Sequence, residues 1–319
     1  VENCQHAERT NKNLLQWKIG GGLMKSKMAQ GHVAALVTII IWGTTFISTK
    51  VLLEDFFPIE ILFFRFLLGL TMLYIVYPYR LIVKNKKEEL TFLFAGLSGV
   101  CLYYLLENIA LTYTLASNVG IIISIAPFFT AIFTHLFMKE DEKLNTNFFV
   151  GFIFAILGIF LINFSGKADL EINPLGDILA IMAAVVWAIY SVLSKKISQY
   201  GYNTVQSTRR VFTYGILFMI PALFVFDFRF QPERFMNMQN LLNILFLGIG
   251  ASAICFVTWN IAVKILGAVK TSVYIYLVPV ITIITSVIIL KEKVTIWGTI
   301  GTAMTLLGLL LSEYRGKKR

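Results

Sequence analysis

The triplet Asn108-Ile109-Ala110 recurs as Asn260-Ile261-Ala262. In both places a proline follows 19 residues after the asparagine (Pro127, Pro279) and a glutamate 13 residues after the proline (Glu140, Glu292). A register held that far without a gap marks an internal duplication. Each copy lies in sequence apolar enough to be solvated by lipid, so the chain is confined to folds built from two like halves in a membrane, with a binding site expected between them.

Composition leads the same way. The 319 residues are 57% hydrophobic and 14% charged, against about 45–50% and about 25% for soluble domains. The mean hydropathy is +0.74. A formal charge of +10 does not imply a nucleic-acid partner, because Lys and Arg gather in the tails and in the short joins between apolar runs. Cys4, Cys101 and Cys255 lack metal-ligand spacing, His32 and His135 form no ligand pattern with a carboxylate, and no glycine run ends in Gly-Lys-Ser/Thr. Neither a metal, a cofactor nor a nucleotide is therefore expected.

Apolar runs of membrane-crossing length number ten. They fall near 32–53, 58–77, 91–111, 116–136, 148–164, 175–194, 204–226, 241–262, 268–290 and 295–312. The expected fold is all-α and polytopic, with ten transmembrane helices in two five-helix repeats, 30–164 and 175–313, joined by a linker at 165–174. With the N-terminus inside, cytoplasmic segments hold sixteen Lys and Arg against five outside, which favours both termini in the cytoplasm. An odd number of helices per half makes the repeats inverted, the arrangement that supports alternating access. Residues 1–29 read as a polar, disordered tail. Gly20-Gly21-Gly22 ahead of Met24 resembles a translated ribosome-binding site, so the natural start is expected at Met24 or Met28. Residues 314–319 form a basic tail.

The duplication extends further. At an offset of 145, Trp42, Lys50 and Arg65 fall on Trp187, Lys195 and Arg210; at 150, Gly151 and Gly158 fall on Gly301 and Gly308. Trp42-Gly43-Thr44-Thr45-Phe46 with Lys50, then Pro58 and Arg65, Ala110-Leu111-Thr112-Tyr113, Ala126-Pro127-Phe128-Phe129-Thr130-Ala131, Glu140, and Gly151 to Gly158 together resemble the EamA-type branch of the drug/metabolite transporter superfamily. The resemblance covers both halves, with Ala188 standing where the first half has Gly43. It implies a ten-helix secondary transporter of the inner membrane that moves a small metabolite, an amino acid or an amphiphilic toxic compound, often outward. The rival expectation is a non-transporting membrane scaffold or a lipid-modifying enzyme.

The residues suggest where such a protein would work. Pro127 and Pro279 stand mid-run, where each removes a backbone donor and crowds the carbonyl four residues back, at Ile123 and Ile275. A freed carbonyl at membrane depth must face protein or a wet cavity. Ser124, Tyr274 and Tyr276 near these kinks are candidate contacts. Trp42, Asn108, Trp187, Trp259 and Asn260 supply rings with polar tips and amides suited to an amphipathic solute; Tyr103, Tyr104 and Tyr190 fit either the lining or the aromatic belt. Arg65, Glu107 and Arg210 are ionisable residues within spans, where function is the default expectation. Arg65 and Glu107 are placed to pair in an outer gate, whereas Arg210, opposite Trp259, has lost its acid. Glu107 is the candidate for proton coupling. Gly151, Ala155 and Gly158, with Gly301 and Gly308, suit close helix packing, within the chain or in a homodimer.

Fluorescence is expected from a cytoplasm-only reporter fused after Ser312, with alkaline phosphatase silent at the same point. The opposite pattern would overturn the topology.

Overall fold

The computed structural model describes residues 2–138, 146–163, 174–226, 228–292 and 295–313, and among these there is helix but no strand. Of the expected linker 165–174, residues 165–173 lie outside the described residues, as do the basic tail and Glu140 of the duplicated pattern, and Pro174 begins a helix. Eight helical segments are long and apolar enough to cross a membrane, from Ser26–Leu52 to Ala268–Leu290, and two shorter apolar helices accompany them. Large apolar side chains are exposed on the outside, among them Phe224 at 85% and Ile75 at 71%. Such a surface suits hydrocarbon rather than water.

The first helix, α1 (Glu2–Leu52), is continuous. Within it the apolar span of membrane-crossing length begins at Ser26. There follow α2 (Pro58–Val76), α3 (Lys86–Gly96), α4 (Tyr103–Tyr113), α5 (Ala116–Ile123), α6 (Ala126–Met138) and α7 (Thr146–Asn163). The remainder are α8 (Pro174–Gln199), α9 (Thr204–Val225), α10 (Met238–Leu245), α11 (Cys255–Leu266), α12 (Ala268–Ser272), α13 (Val278–Thr285) and α14 (Ile296–Glu313).

Four spans are interrupted, and the interruptions keep the sequence register. Between α3 and α4 the backbone is π-helical over Leu97–Leu102, and between α10 and α11 it is π-helical over Phe246–Ile254. α-Helix resumes at Tyr103 and at Cys255, which are 152 residues apart. α6 and α13 likewise begin at Ala126 and Val278, again 152 apart. Pro127 and Pro279 are each the second residue of a new helix. The expected kinks take the form of short non-α turns just before each proline, inside spans that stay continuous over Ala116–Met138 and Ala268–Leu290. The proline ring excludes the carbonyl four residues back, so α5 stops at Ile123, and a 3-10 turn over Val273–Leu277 takes the place of α-helix around Ile275.

Packing runs mostly between the halves. α1 lies on α11 and α13, α8 lies on α4 and α6, α2 lies on the second π segment, and α3 lies on α9. Gly43 makes the α1–α13 approach possible, since a Cβ there would come within 2.6 Å of Ile281. α7 and α14 pair through their small residues: a Cβ on Gly158 would meet Thr305 at 2.4 Å, and one on Gly308 would meet the Gly151 carbonyl at 2.5 Å.

Gly158→Ala is expected to destabilise by about 1–3 kcal/mol, the usual penalty for overpacking, read as a lower melting temperature in detergent. Gly250→Ala, where the nearest atom is 3.6 Å away, should leave it unchanged.

Candidate functional site

Between the halves lies a cavity with ≈ 400 Å³ of empty space. Trp42 and Thr45 of α1, Tyr103, Tyr104 and Glu107 of α4, and Trp187 of α8 line it. Ile123, Ile275 and Val278 bring both helix breaks to its wall. The rings form a continuous cage, with Trp42 5.1 Å from Trp187 and Tyr103 4.8 Å from Trp187 between centroids.

The second π segment holds one lining residue, Trp42, and one residue just behind the wall, Arg65. The Trp42 indole donates to the Ala251 carbonyl at 2.9 Å, and Arg65 Nε donates to Ser252 Oγ at 3.1 Å. A π turn shifts the hydrogen-bonding ladder by one residue and offers backbone groups sideways. Arg65 is fully buried, its guanidinium 4.3 Å from the Tyr104 ring centroid, a favourable cation–π placement. Glu107, at 1% exposure, faces the Tyr103 hydroxyl and lies within electrostatic reach of Arg65. No ion pair joins Arg65 to Glu107. Both Nη atoms of Arg65, Oε1 of Glu107 and the indole nitrogen of Trp187 lack hydrogen-bond partners. Buried polar atoms are normally satisfied, so this cage holds unused capacity for both a cation and an anion.

The expected contacts divide. Trp42 and Trp187 line the cavity, as do Tyr103 and Tyr104. Trp259 stands behind them, buried, 5.1 Å from Trp42. Asn108 is turned away, donating to the Pro58 carbonyl, and Ser124 donates to the Ile121 carbonyl of its own turn. Tyr274 bonds His32 at 2.6 Å, and Tyr276 is buried. Asn260 lies at a second cavity, accepting from Tyr190 and Ser194 and donating to Thr208. Arg210 is corrected: it is not without an acid but pairs with Glu89 at 2.5 Å, and Tyr214 also bonds that carboxylate.

Three polar clusters escaped the sequence. Glu60, fully buried, accepts from the Phe57 and Arg229 amides and from Arg234, which ties the segment before α10 to the start of α2. Lys50, which recurs as Lys195 in the second half, donates to the Leu111 and Thr114 carbonyls at the end of α4. Glu292 accepts from the Ala116 and Ser117 amides and the Ser117 hydroxyl, so the second half caps α5 of the first. Lys291, at φ 56°, makes the left-handed turn that brings Glu292 there. The glutamate repeated 13 residues after each proline pointed to Glu292, but not to what it holds.

The EamA-like transporter family matches the chain twice, over residues 29–164 and 174–314. An "Uncharacterized transporter" of Archaeoglobus fulgidus is 31% identical over 88% of this chain and 96% of its own length. The "Uncharacterized transporter YyaM" of Bacillus subtilis is 25% identical over 86% of this chain and 90% of its own. A solved crystal structure superimposes with a TM-score of 0.64 at 18% identity, covering 89% of this chain and 96% of the other, a likeness of fold.

Glu292→Ala is expected to cost about 0.5–2 kcal/mol, as the loss of a helix cap does, measured by thermal unfolding in detergent. An unchanged melting temperature would mean that the cap does not secure α5.

Proposed function

Because this chain belongs to the EamA-like transporter family, we propose that it is a secondary transporter moving a small amphipathic metabolite across the inner membrane by alternating access. The direction proposed is outward. The substrate class is an amino acid, a related metabolite or an amphiphilic toxic compound. Ten spans in two inverted repeats would place the cavity at their interface. Supporting this, the packing pattern survives exchange of the halves: α1 on α11 and α13 corresponds to α8 on α4 and α6, and α2 on the second π segment corresponds to α9 on the first.

What carries the proposal is the cavity's chemistry. Aromatic faces accept an apolar body or a cation, the unpartnered Glu107 Oε1 on the wall suits an ammonium, and the unpartnered Arg65 Nη atoms, behind Tyr104, would suit a carboxylate once reached. A substrate bearing both groups would satisfy atoms the protein leaves unmet, whereas burying them unpaired is costly. Glu107 is also the carboxylate proposed to carry a coupling proton. The α7–α14 pair offers the outer face on which a homodimer could form.

Cells overproducing the chain would be grown on a panel of toxic metabolites and analogues, and any compound to which they become resistant tested for uptake into proteoliposomes. Arg65→Ala and Glu107→Ala are each expected to lower transport at least tenfold, about 1.4 kcal/mol or more of lost substrate interaction. Glu107→Gln should remove the response to a pH gradient while leaving exchange measurable. An intact response in Glu107→Gln would eliminate this residue as the proton site, and no uptake of any panel compound would count against transport.

A further inference from the structure

The second cavity, with ≈ 360 Å³ of empty space, is built entirely from the second half. Its wall is rich in hydroxyls, with Ser194, Ser198, Thr204 and Ser207, and it carries one cation, Lys264, which is exposed. Tyr202, at the turn between α8 and α9, marks the end of the bundle at which it lies. Its inner limit is Tyr190, a fully buried residue.

Tyr190 also touches the central cage. Its ring centroid is 5.0 Å from that of Trp187, which lines the central cavity. The two cavities are therefore separated by the thickness of one ring pair. The phenol is held by a 3.0 Å hydrogen bond to the Asn260 carbonyl oxygen, which also accepts from Ser194, and Thr208 fixes the other end of the Asn260 amide. On its far side the ring fills the space a glycine leaves: a Cβ on Gly99 would lie 2.2 Å from it. Gly99 belongs to the first π segment, so a local change of helix type there would move the seat of the ring.

The first half has no such partition. The residue 145 before Tyr190 is Thr45, whose side chain lines the central cavity and bonds the carbonyl of its own helix at Trp42. The residue 152 before Asn260 is Asn108, which is turned to Pro58. An aromatic barrier with an amide catch exists at one end of the cage alone, among the described residues.

We propose that Tyr190 is a single-residue gate between the central cavity and a hydroxyl-lined vestibule at the Tyr202 end, held closed by Asn260 and seated on Gly99. This rests on the cavity being the path of a transported solute. Swinging the phenol away from Asn260 joins the two spaces into one conduit. The vestibule's hydroxyls and Lys264 then present a polar route in which Lys264 suits a substrate carboxylate, with the Glu88 carboxylate tied to the Tyr202 hydroxyl at its edge.

Thiol accessibility tests this without any transported compound. In a chain carrying Cys4→Ser, Cys101→Ala and Cys255→Ala, Ser198→Cys reports on the vestibule and Thr45→Cys on the central cavity. The probe is a trimethylammonium methanethiosulfonate, added to one face of sealed proteoliposomes with scavenger thiol on the other. Ser198→Cys should react from one face only. From that face Thr45→Cys should react slowly with Tyr190 present, about tenfold or more faster in Tyr190→Ala, and about 2- to 10-fold faster in Tyr190→Phe or Asn260→Ala, as loss of one hydrogen bond allows. If Tyr190→Ala fails to yield monodisperse protein, the latter two variants decide the matter. The proposal is overturned if Ser198→Cys is unreactive from both faces, or if Thr45→Cys reacts equally fast with and without these changes. A purely structural Tyr190 would lower the melting temperature and leave the labelling rate alone. Missing transport with gated labelling would fault only the functional proposal, and intact transport with ungated labelling only the gate.

Discussion

A peptide group inside hydrocarbon has no water to turn to, so every departure from the α-helical ladder must find a partner within the protein. That requirement organises this chain. Its spans depart from α-helix at two proline breaks and at π segments, and the main departures point inward, to the seam between the halves. The breaks contribute Ile123, Ile275 and Val278 to the central wall. The second π segment gives up the Ala251 carbonyl to Trp42 and the Ser252 hydroxyl to Arg65. The irregular backbone thus holds and shapes the site, to whose wall the regular helices α1, α4 and α8 bring Trp42, Tyr103 and Trp187.

The same device works differently in the two halves, and the site owes its polarity to that difference. Where the second π segment has Ala251 and Ser252, the positions 152 earlier are Gly99 and Val100. Valine offers no hydroxyl to an arginine. Arg210 accordingly pairs at the end of the bundle with Glu89, while its counterpart Arg65 is buried beside the cage. The Trp187 nitrogen is left without a partner, and glycine leaves the room that Tyr190 occupies. The two ends of a duplicated frame thus carry different chemistry, with glycine and valine in the first π segment where the second has alanine and serine.

Much of the frame was legible because its signals are long-range and redundant. The apolar run expected at 268–290 matches the span Ala268–Leu290 at both ends. The π segments left no trace, since one residue added to a helical turn changes neither composition nor the average apolar period. Side-chain destinations were hardest. Asn108 and Asn260 head identical triplets, yet one meets a proline carbonyl and the other a tyrosine and a serine, because the neighbours are set by residues far away in sequence. Glu89 could not be matched with Arg210 for the same reason: 121 residues separate them, an interval that belongs to none of the repeat offsets. Aromatic pairs were more readable, since Trp42 and Trp187 share an offset and meet across the seam.

The cap that Glu292 places on α5 bears on how the chain is assembled. Ala116 and Ser117 receive their carboxylate from a residue 176 positions further along. During synthesis the amides at the start of α5 must wait, exposed at the membrane boundary, until nearly the whole chain has left the ribosome. The first half can enter the bilayer early but cannot complete its own helix ends. A product truncated before Glu292 would contain every residue of the first half and still lack the carboxylate that caps α5.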